Sequence, residues 1–237
     1  MSDLPNVDFG GATLSNKVKI GTCNLNQWAL DFDGNLERIM RSIRESKEQG
    51  CRFRVGPELE ISGYSCEDHF RELDTYLHSD QSLAAILKSG VTDGILCDIG
   101  MPVLHDNVRY NCRVFCCDSK IVLIRPKAFM ANDGNYHEPR HFTSWKHSLS
   151  NPATTQGGDG WNGLDSHVLS DELRTASGQR NVPFGMAMVR EYVGLCCMFR
   201  GLEGYISLLL LSYSIISCAL GIPCLLPSCS IITNSIA

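Results

Sequence analysis

Between residues 18 and 55 the chain spells a strand, an amphipathic helix and a second strand in direct succession, a unit that commits it to a parallel sheet with helices laid against it. Residues 18–23 (VKIGTC) form the first strand candidate. The helix expected over 35–49 places Leu36, Ile39, Met40 and Ile43 at i, i+3, i+4 and i+7, one apolar stripe opposite a charged face, and Gly50 supplies a left-handed stop. Residues 52–55 (RFRV) read as the second strand, ending at Gly56 and Pro57. Glu58 then falls at the strand's C-terminal tip, where open αβ sheets place their chemistry. The alternation continues with a helix over 82–89 and a buried strand over 95–103. Two apolar, β-branched runs follow at 108–117 and 120–125, joined by Asp118 and Ser119 as a hairpin turn. Lys127 lies just beyond the second run. From 143 to 179 the composition shifts to Ser, Thr, Asn and Gly, which reads as a long surface loop with one helical turn near 170–174.

A chain of 237 residues is long enough for one αβ core, and a single main domain is expected over 1–200. Its 21 Lys and Arg against 26 Asp and Glu leave a net charge of -5, so there is no cationic field to follow a nucleic-acid backbone or an anionic membrane. A small neutral or zwitterionic substrate suits this balance better. The N-terminal residues carry acids and no apolar core segment, which does not read as a secretory signal, and a cytoplasmic, reducing setting is expected. In such a setting most of the twelve cysteines are free thiols. None has the spacing of a zinc half-site paired with a second one, so no metal is expected. After Glu203 no charged residue occurs through Ala237, and residues 201–237 form a divergent hydrophobic tail. Its run over 205–226 approaches the roughly 20 apolar residues of a membrane span. Its serines and Pro223 weaken that reading, so burial or misfolding is expected ahead of membrane insertion.

Three features carry chemistry. Glu58 and Lys127 stand at strand ends, and cysteines occur later in the chain. A carboxylate can take a thiol proton, the thiolate can attack an amide carbonyl, and an ammonium can stabilise the oxyanion that forms. On spacing alone the same residues also read as a solvated strand end at Glu58 and Glu60, a surface lysine and small core cysteines.

Longer segments separate these readings. GTCNLNQWALDFDGNLERIMRSIRESKEQGCRFRVGPELEISGYSCEDHF (21–70), DIGMPVLHDNVRYNCRVF (98–115) and IRPKAFMANDGNYHEPRHF (124–142) closely resemble the start of the eukaryotic glutamine-dependent NAD synthetase family. The resemblance implies a nitrilase-like α/β fold, an α-β-β-α sandwich incomplete on its C-terminal side. It also implies a carbon–nitrogen hydrolase (glutaminase) activity in which a cysteine forms a glutamyl thioester and ammonia leaves. Glu58 matches the family's general base, Lys127 its lysine, and Glu138 the second glutamate kept beside that lysine. An exposed ion pair with Arg140 is the other reading of Glu138.

At the third catalytic position the resemblance fails. The segment 182–185 (VPFG) matches, but 186–200 (MAMVREYVGLCCMFR) lacks the acid-flanked cysteine motif that follows it in the family. Cys196 and Cys197 stand a few residues early and are candidates only. A glycine-serine-rich pyrophosphate loop is not found either, so ATP and nicotinic acid adenine dinucleotide are expected to bind a synthetase half that is absent here, and this chain is expected to hold no cofactor. Residues 231–235 (IITNS) faintly resemble a stretch beyond the family's nucleophile. Glutamine is the implied partner, with a homo-oligomer possible and no nucleic acid, while a membrane is not expected, though the apolar tail leaves it open. A stand-alone nitrilase-like amidase and a non-catalytic truncated product are the rival readings.

Overall fold

A computed structural model describes residues 19–146, 164–186 and 230–235, the last by backbone alone. The first unit is the expected one: β1 (Lys19–Asn24), α1 (Phe32–Glu48) and β2 (Phe53–Val55), with β1 and β2 parallel. Helix α1 starts three residues before the expected position because Asp31 caps it, accepting from the Gly34 amide at 3.2 Å. Ile39 and Ile43 of the apolar stripe are fully buried, and Leu36 and Met40 pack at its margin. A short 3₁₀ turn, Glu67–Arg71, leads into α2 (Leu73–Lys88), which is twice the length expected from 82–89. Its first half escapes a hydrophobic pattern because buried Thr75 and Ser79 stand among its apolar residues. Each hydroxyl donates to a nearby carbonyl, Thr75 to His69 O and Ser79 to Thr75 O, both at 2.7 Å, so they are buried satisfied.

Strands β3 (Leu96–His105), β4 (Val108–Cys117) and β5 (Lys120–Pro126) form an antiparallel meander. Both connections have two residues at positive φ, Asp106 with Asn107 and Asp118 with Ser119, as two-residue hairpins of the twist-compatible kind require. Of the loop expected over 143–179, the described part holds α3 (Asp171–Ser177), the helical turn expected near 170–174 carried three residues further, and an unexpected strand, β6 (Asp165–Val168), while Trp145 and Leu164 are buried. Strand β6 has too few apolar residues to declare itself. Its pairing with β7 (Asn181–Phe184) makes it a strand. Residues 230–235, in the tail, form β8 (Ser230–Ser235), parallel to β1 from Lys19 opposite Ser230 to Asn24 opposite Ser235.

All eight strands make one sheet in the order β6-β7-β5-β4-β3-β2-β1-β8. Cys97, Ile99, Met101 and Val103 of β3 and Cys112, Val114 and Cys116 of β4 share the face on which α1, α2 and α3 bury Ile39, Ile43, Leu83, Ile86, Leu87 and Leu173. The described residues thus supply a mixed α/β sheet with one helical layer. Seven cysteines among them are free thiols, six of these buried. No described helix is long and apolar enough to cross a membrane, and 204–229 lies outside the described residues.

At the β6 end of the sheet, His105 stacks on Phe184 with ring centroids 4.0 Å apart, and its Nδ1 lies 3.1 Å from Nδ1 of His167. Burial, and then the neighbouring His105, push His167 down to about 4. The folded state therefore resists a proton that the unfolded chain takes up near 6.5. The resulting stability is full above pH 6.5 and is lost as pH falls towards 4, at a slope approaching 1.4 kcal/mol per pH unit, about the value for one group. Burial pushes the Asp80 carboxyl up to about 6, which contributes the opposite slope over the lower part of this window, so His167 is read as a difference. In urea unfolding the wild type should lose stability with falling pH more steeply than His167→Gln, by up to about 1.4 kcal/mol per pH unit.

Candidate active site

The peptide 56–63 crosses from the end of β2 over the middle of β3, and three kinds of contact hold it there. Its main chain bonds to β3, from the Gly56 amide to Asp98 O at 3.1 Å and from the Ile61 amide to Gly100 O at 3.2 Å. Arg113 of β4 donates to Pro57 O at 2.6 Å and Gly56 O at 2.7 Å, while its Nε pairs with Asp98 at 2.7 Å. Beneath the turn, Arg54 and Glu60 form a two-pronged ion pair, 2.8 Å on each prong, with both side chains wholly excluded from solvent. Arg54 is completed by Ser42 of α1, through Nε at 3.1 Å and Nη2 at 2.7 Å, and burial is outweighed by Glu60, so its guanidinium stays charged. Glu60 is therefore no part of a solvated strand end. The close crossing needs a residue without a side chain at position 100, since a Cβ on Gly100 would meet Pro57 O at 2.5 Å and Leu59 N at 2.6 Å, both backbone atoms.

On this turn Glu58 is followed by Leu59 at φ 50°, a left-handed conformation that costs a non-glycine residue about 1 kcal/mol. Leu59 offsets that cost by burial with Cys66, Phe70 and Phe142. Lys127 is the first residue beyond β5, where its amide extends the ladder to Asn111 O of β4 at 2.8 Å. Glu138 opens the 3₁₀ turn Glu138–Arg140, and its amide bonds Ala131 O at 3.0 Å, closing the loop that begins at Lys127.

These three elements bring the expected residues together. Lys127 Nζ lies 2.7 Å from Glu58 Oε1 and 2.7 Å from Glu138 Oε2. Asn111 Nδ2 donates to the same Glu58 oxygen at 2.6 Å and to Glu138 Oε1 at 2.8 Å, and the Ala131 amide donates to Glu138 Oε2 at 2.8 Å. Burial pulls the Lys127 ammonium down, but hydrogen bonds and charge from Glu138 and Glu58 outweigh it and hold it above the ordinary lysine range. Beside them, burial and then the Glu58 charge push the Tyr64 phenol up to about 12. The exposed pair between Glu138 and Arg140 is not formed, because Arg140 pairs with Asp68 at 2.9 Å. Asn111 is not singled out in the sequence, because a lone amide in a strand that also carries Arg109 and Arg113 gives no signal of its own.

No cysteine is among the hydrogen-bond partners of Glu58 or Lys127 in the described residues. Cys66, the nearest in sequence to Glu58 on that side, is buried and donates to Ser62 O at 3.2 Å, and burial raises its thiol, which suits a structural role. Cys196 and Cys197 lie outside the described residues.

A paired carboxylate and lysine at the strand ends of an αβ sheet is the expectation the resemblance set, and the family model described as carbon-nitrogen hydrolase matches residues 19–190. The chain belongs to the carbon–nitrogen hydrolase family. It is 51% identical over 178 residues to the glutamine-dependent NAD(+) synthetase of Saccharomyces cerevisiae, covering 75% of this chain and 23% of that protein. With the human protein of the same name it shares 50% identity over 176 residues, 74% of this chain and 23% of the relative. The chain thus spans about a quarter of the length of these relatives. Among solved structures, a glutamine-dependent NAD(+) synthetase from Cytophaga hutchinsonii superposes with a TM-score of 0.59 at 24% identity, over 72% of this chain and 25% of that one. At that identity the likeness speaks for the fold, which is the nitrilase kind.

The buried pair under the turn leads to an asymmetric prediction. Glu60→Gln leaves the Arg54 guanidinium buried without its counter-charge and should cost about 3–5 kcal/mol in urea unfolding, whereas Arg54→Met combined with Glu60→Leu should cost much less. Equal losses in the two variants would show that the pair's charge is not what anchors the turn.

Proposed function

We propose that this region is the glutamine-amide-hydrolysing module of a glutamine-dependent NAD synthetase, with turnover in this chain held low by its departure from the nucleophile motif. The observation that carries the reading is Lys127 Nζ placed 2.7 Å from both Glu58 and Glu138. The half-identity to NAD synthetases favours glutamine over other amides as the substrate.

The chemistry follows from the groups present. Lys127 and Asn111 both donate to Oε1 of Glu58. The other carboxylate oxygen is then the one that receives a thiol proton as sulfur attacks the amide carbon. Glu58 returns that proton to the departing ammonia, and afterwards takes one from the water that cleaves the glutamyl thioester. Lys127 keeps its proton throughout and steadies the tetrahedral oxyanion, while Glu138 holds the ammonium in line. Lys127 and Glu138 are thus charge-placing groups, and Glu58 is the one that moves protons.

A base and an oxyanion partner do not replace a nucleophile. Residues of a catalytic set act as a unit, so loss of the thiol forfeits most of the rate. Segment 186–200 carries Cys196 and Cys197 without the acidic flank, and each residue of offset along a strand displaces a side chain by about 3.3 Å.

The test measures glutamine binding by saturation-transfer NMR, ammonia release from glutamine, asparagine and a simple aliphatic amide, and labelling by an electrophilic glutamine analogue. Glutamine should bind in preference to the other amides, with ammonia release at least about a hundredfold below that of the yeast relative assayed alongside. Failure to bind glutamine would remove the substrate assignment. Stoichiometric labelling at Cys196 or Cys197, lost in Glu58→Ala and accompanied by a rate like the relative's, would show that the nucleophile is intact.

A further inference from the structure

Asn111 stands at the centre of the charge cluster, 2% exposed, and makes more contacts with its charged members than its residue type suggests. We propose that Asn111 is a positioning residue for the amide-hydrolysing site, a single side-chain amide that clamps Glu58 and Glu138 on either side of Lys127. This role rests on the amidase reading given above.

The geometry uses the whole donor capacity of the side chain. An amide nitrogen carries two hydrogens, and Nδ2 has one carboxylate for each, Glu58 Oε1 at 2.6 Å and Glu138 Oε1 at 2.8 Å. Its orientation follows from these neighbours, because the reversed amide would set Oδ1 against two carboxylate oxygens at the same distances, acceptor to acceptor. Lys127 closes the circuit by donating to Glu58 Oε1 and Glu138 Oε2. The main chain of Asn111 contributes as well, since its carbonyl accepts the Lys127 amide at 2.8 Å. One residue of β4 therefore sets the place of all three charged groups.

The electrostatics explain why an amide suits this position. Two carboxylates and one ammonium leave one negative charge in excess, and like charges sharing a site favour keeping a proton on one of them. A proton on Glu58 would remove the base, and one on Glu138 would weaken its hold on Lys127. Neutral N–H donors favour the ionised form of each acceptor without bringing a second positive charge, which would make Glu58 a poorer base. An aspartate of the same shape reverses the effect, because it replaces both donors with a third carboxylate. Alanine removes the donors and adds nothing.

The test is a carboxyl ¹³C NMR titration of the full chain labelled at glutamate, with Glu58 and Glu138 assigned from Glu58→Gln and Glu138→Gln. In Asn111→Ala the acid-side titration of the two carboxylates should move upward relative to wild type, and in Asn111→Asp it should move further. Glu45, distant on α1, serves as the internal control and should not move. Circular dichroism checks that each variant is folded, and the isosteric Asn111→Asp carries the test should alanine destabilise the strand. Titrations of Glu58 and Glu138 that coincide with wild type in the folded variants would overturn the proposal. Failure of the functional reading shows itself separately, as absence of glutamine binding by the wild-type chain, since no substrate enters the titration.

Discussion

Everything at the candidate site hangs from an ion pair that water never reaches. Arg54 leaves β2 beneath the turn that follows it, Glu60 points back from that turn, and both side chains are fully buried. Such a pair is costly to desolvate, and it is tolerable here because the guanidinium also meets Ser42 of α1 and the Asp98 carbonyl of β3. Its consequence is geometric: the helix, the strand and the turn are held in one arrangement. Removing either partner would leave a charge stranded in the protein interior, so the turn has little freedom to adopt another path. Glu58 lies two residues before Glu60 and inherits that constraint.

The second set of charges differs in kind. Lys127, Glu58 and Glu138 are half-buried and come from three separate elements, the turn after β2, the end of β5 and a 3₁₀ turn, with Asn111 of β4 between the two carboxylates. None of these elements touches the others in sequence, so the cluster exists only when the sheet is formed in the observed register. A lysine shared by two carboxylates keeps its own proton and leaves one negative charge in excess, a state suited to accepting a proton from an incoming acid. The buried pair thus supplies placement, and the partly open cluster supplies the chemistry.

How much of this the sequence reveals depends on whether the determining forces are local. The α1 stripe, the Asp118–Ser119 hairpin and the position of Glu58 after Gly56 and Pro57 are local patterns, and each is found where expected. The first half of α2 is hidden because its buried Thr75 and Ser79, whose hydroxyls bond nearby carbonyls, carry no hydrophobic signal. Strand β6 is hidden because only its partner β7 makes it a strand. Glu60 and Asn111 illustrate the same limit at the site. Their residue types suggest solvent, yet their partners, Arg54 for one and Glu58 with Glu138 for the other, come from elements brought together only by the fold. Lys127 is legible at its strand end, but its role, and Glu138 altogether, are legible only through the longer resemblance around them.

Lys127 is held by two carboxylates at once, and the ammonium itself can report on it. Burial alone would lower the titration of this lysine, whereas the two partners raise it, so the sign of the shift separates the possibilities. Titration of Lys127 by ¹⁵N NMR of the side-chain nitrogen, assigned from Lys127→Arg, should place it above the ordinary value of 10.5 in the wild type and lower it in Glu138→Gln. A wild-type value below 10.5, unchanged in Glu138→Gln, would contradict the shared ion pair on which the site is built.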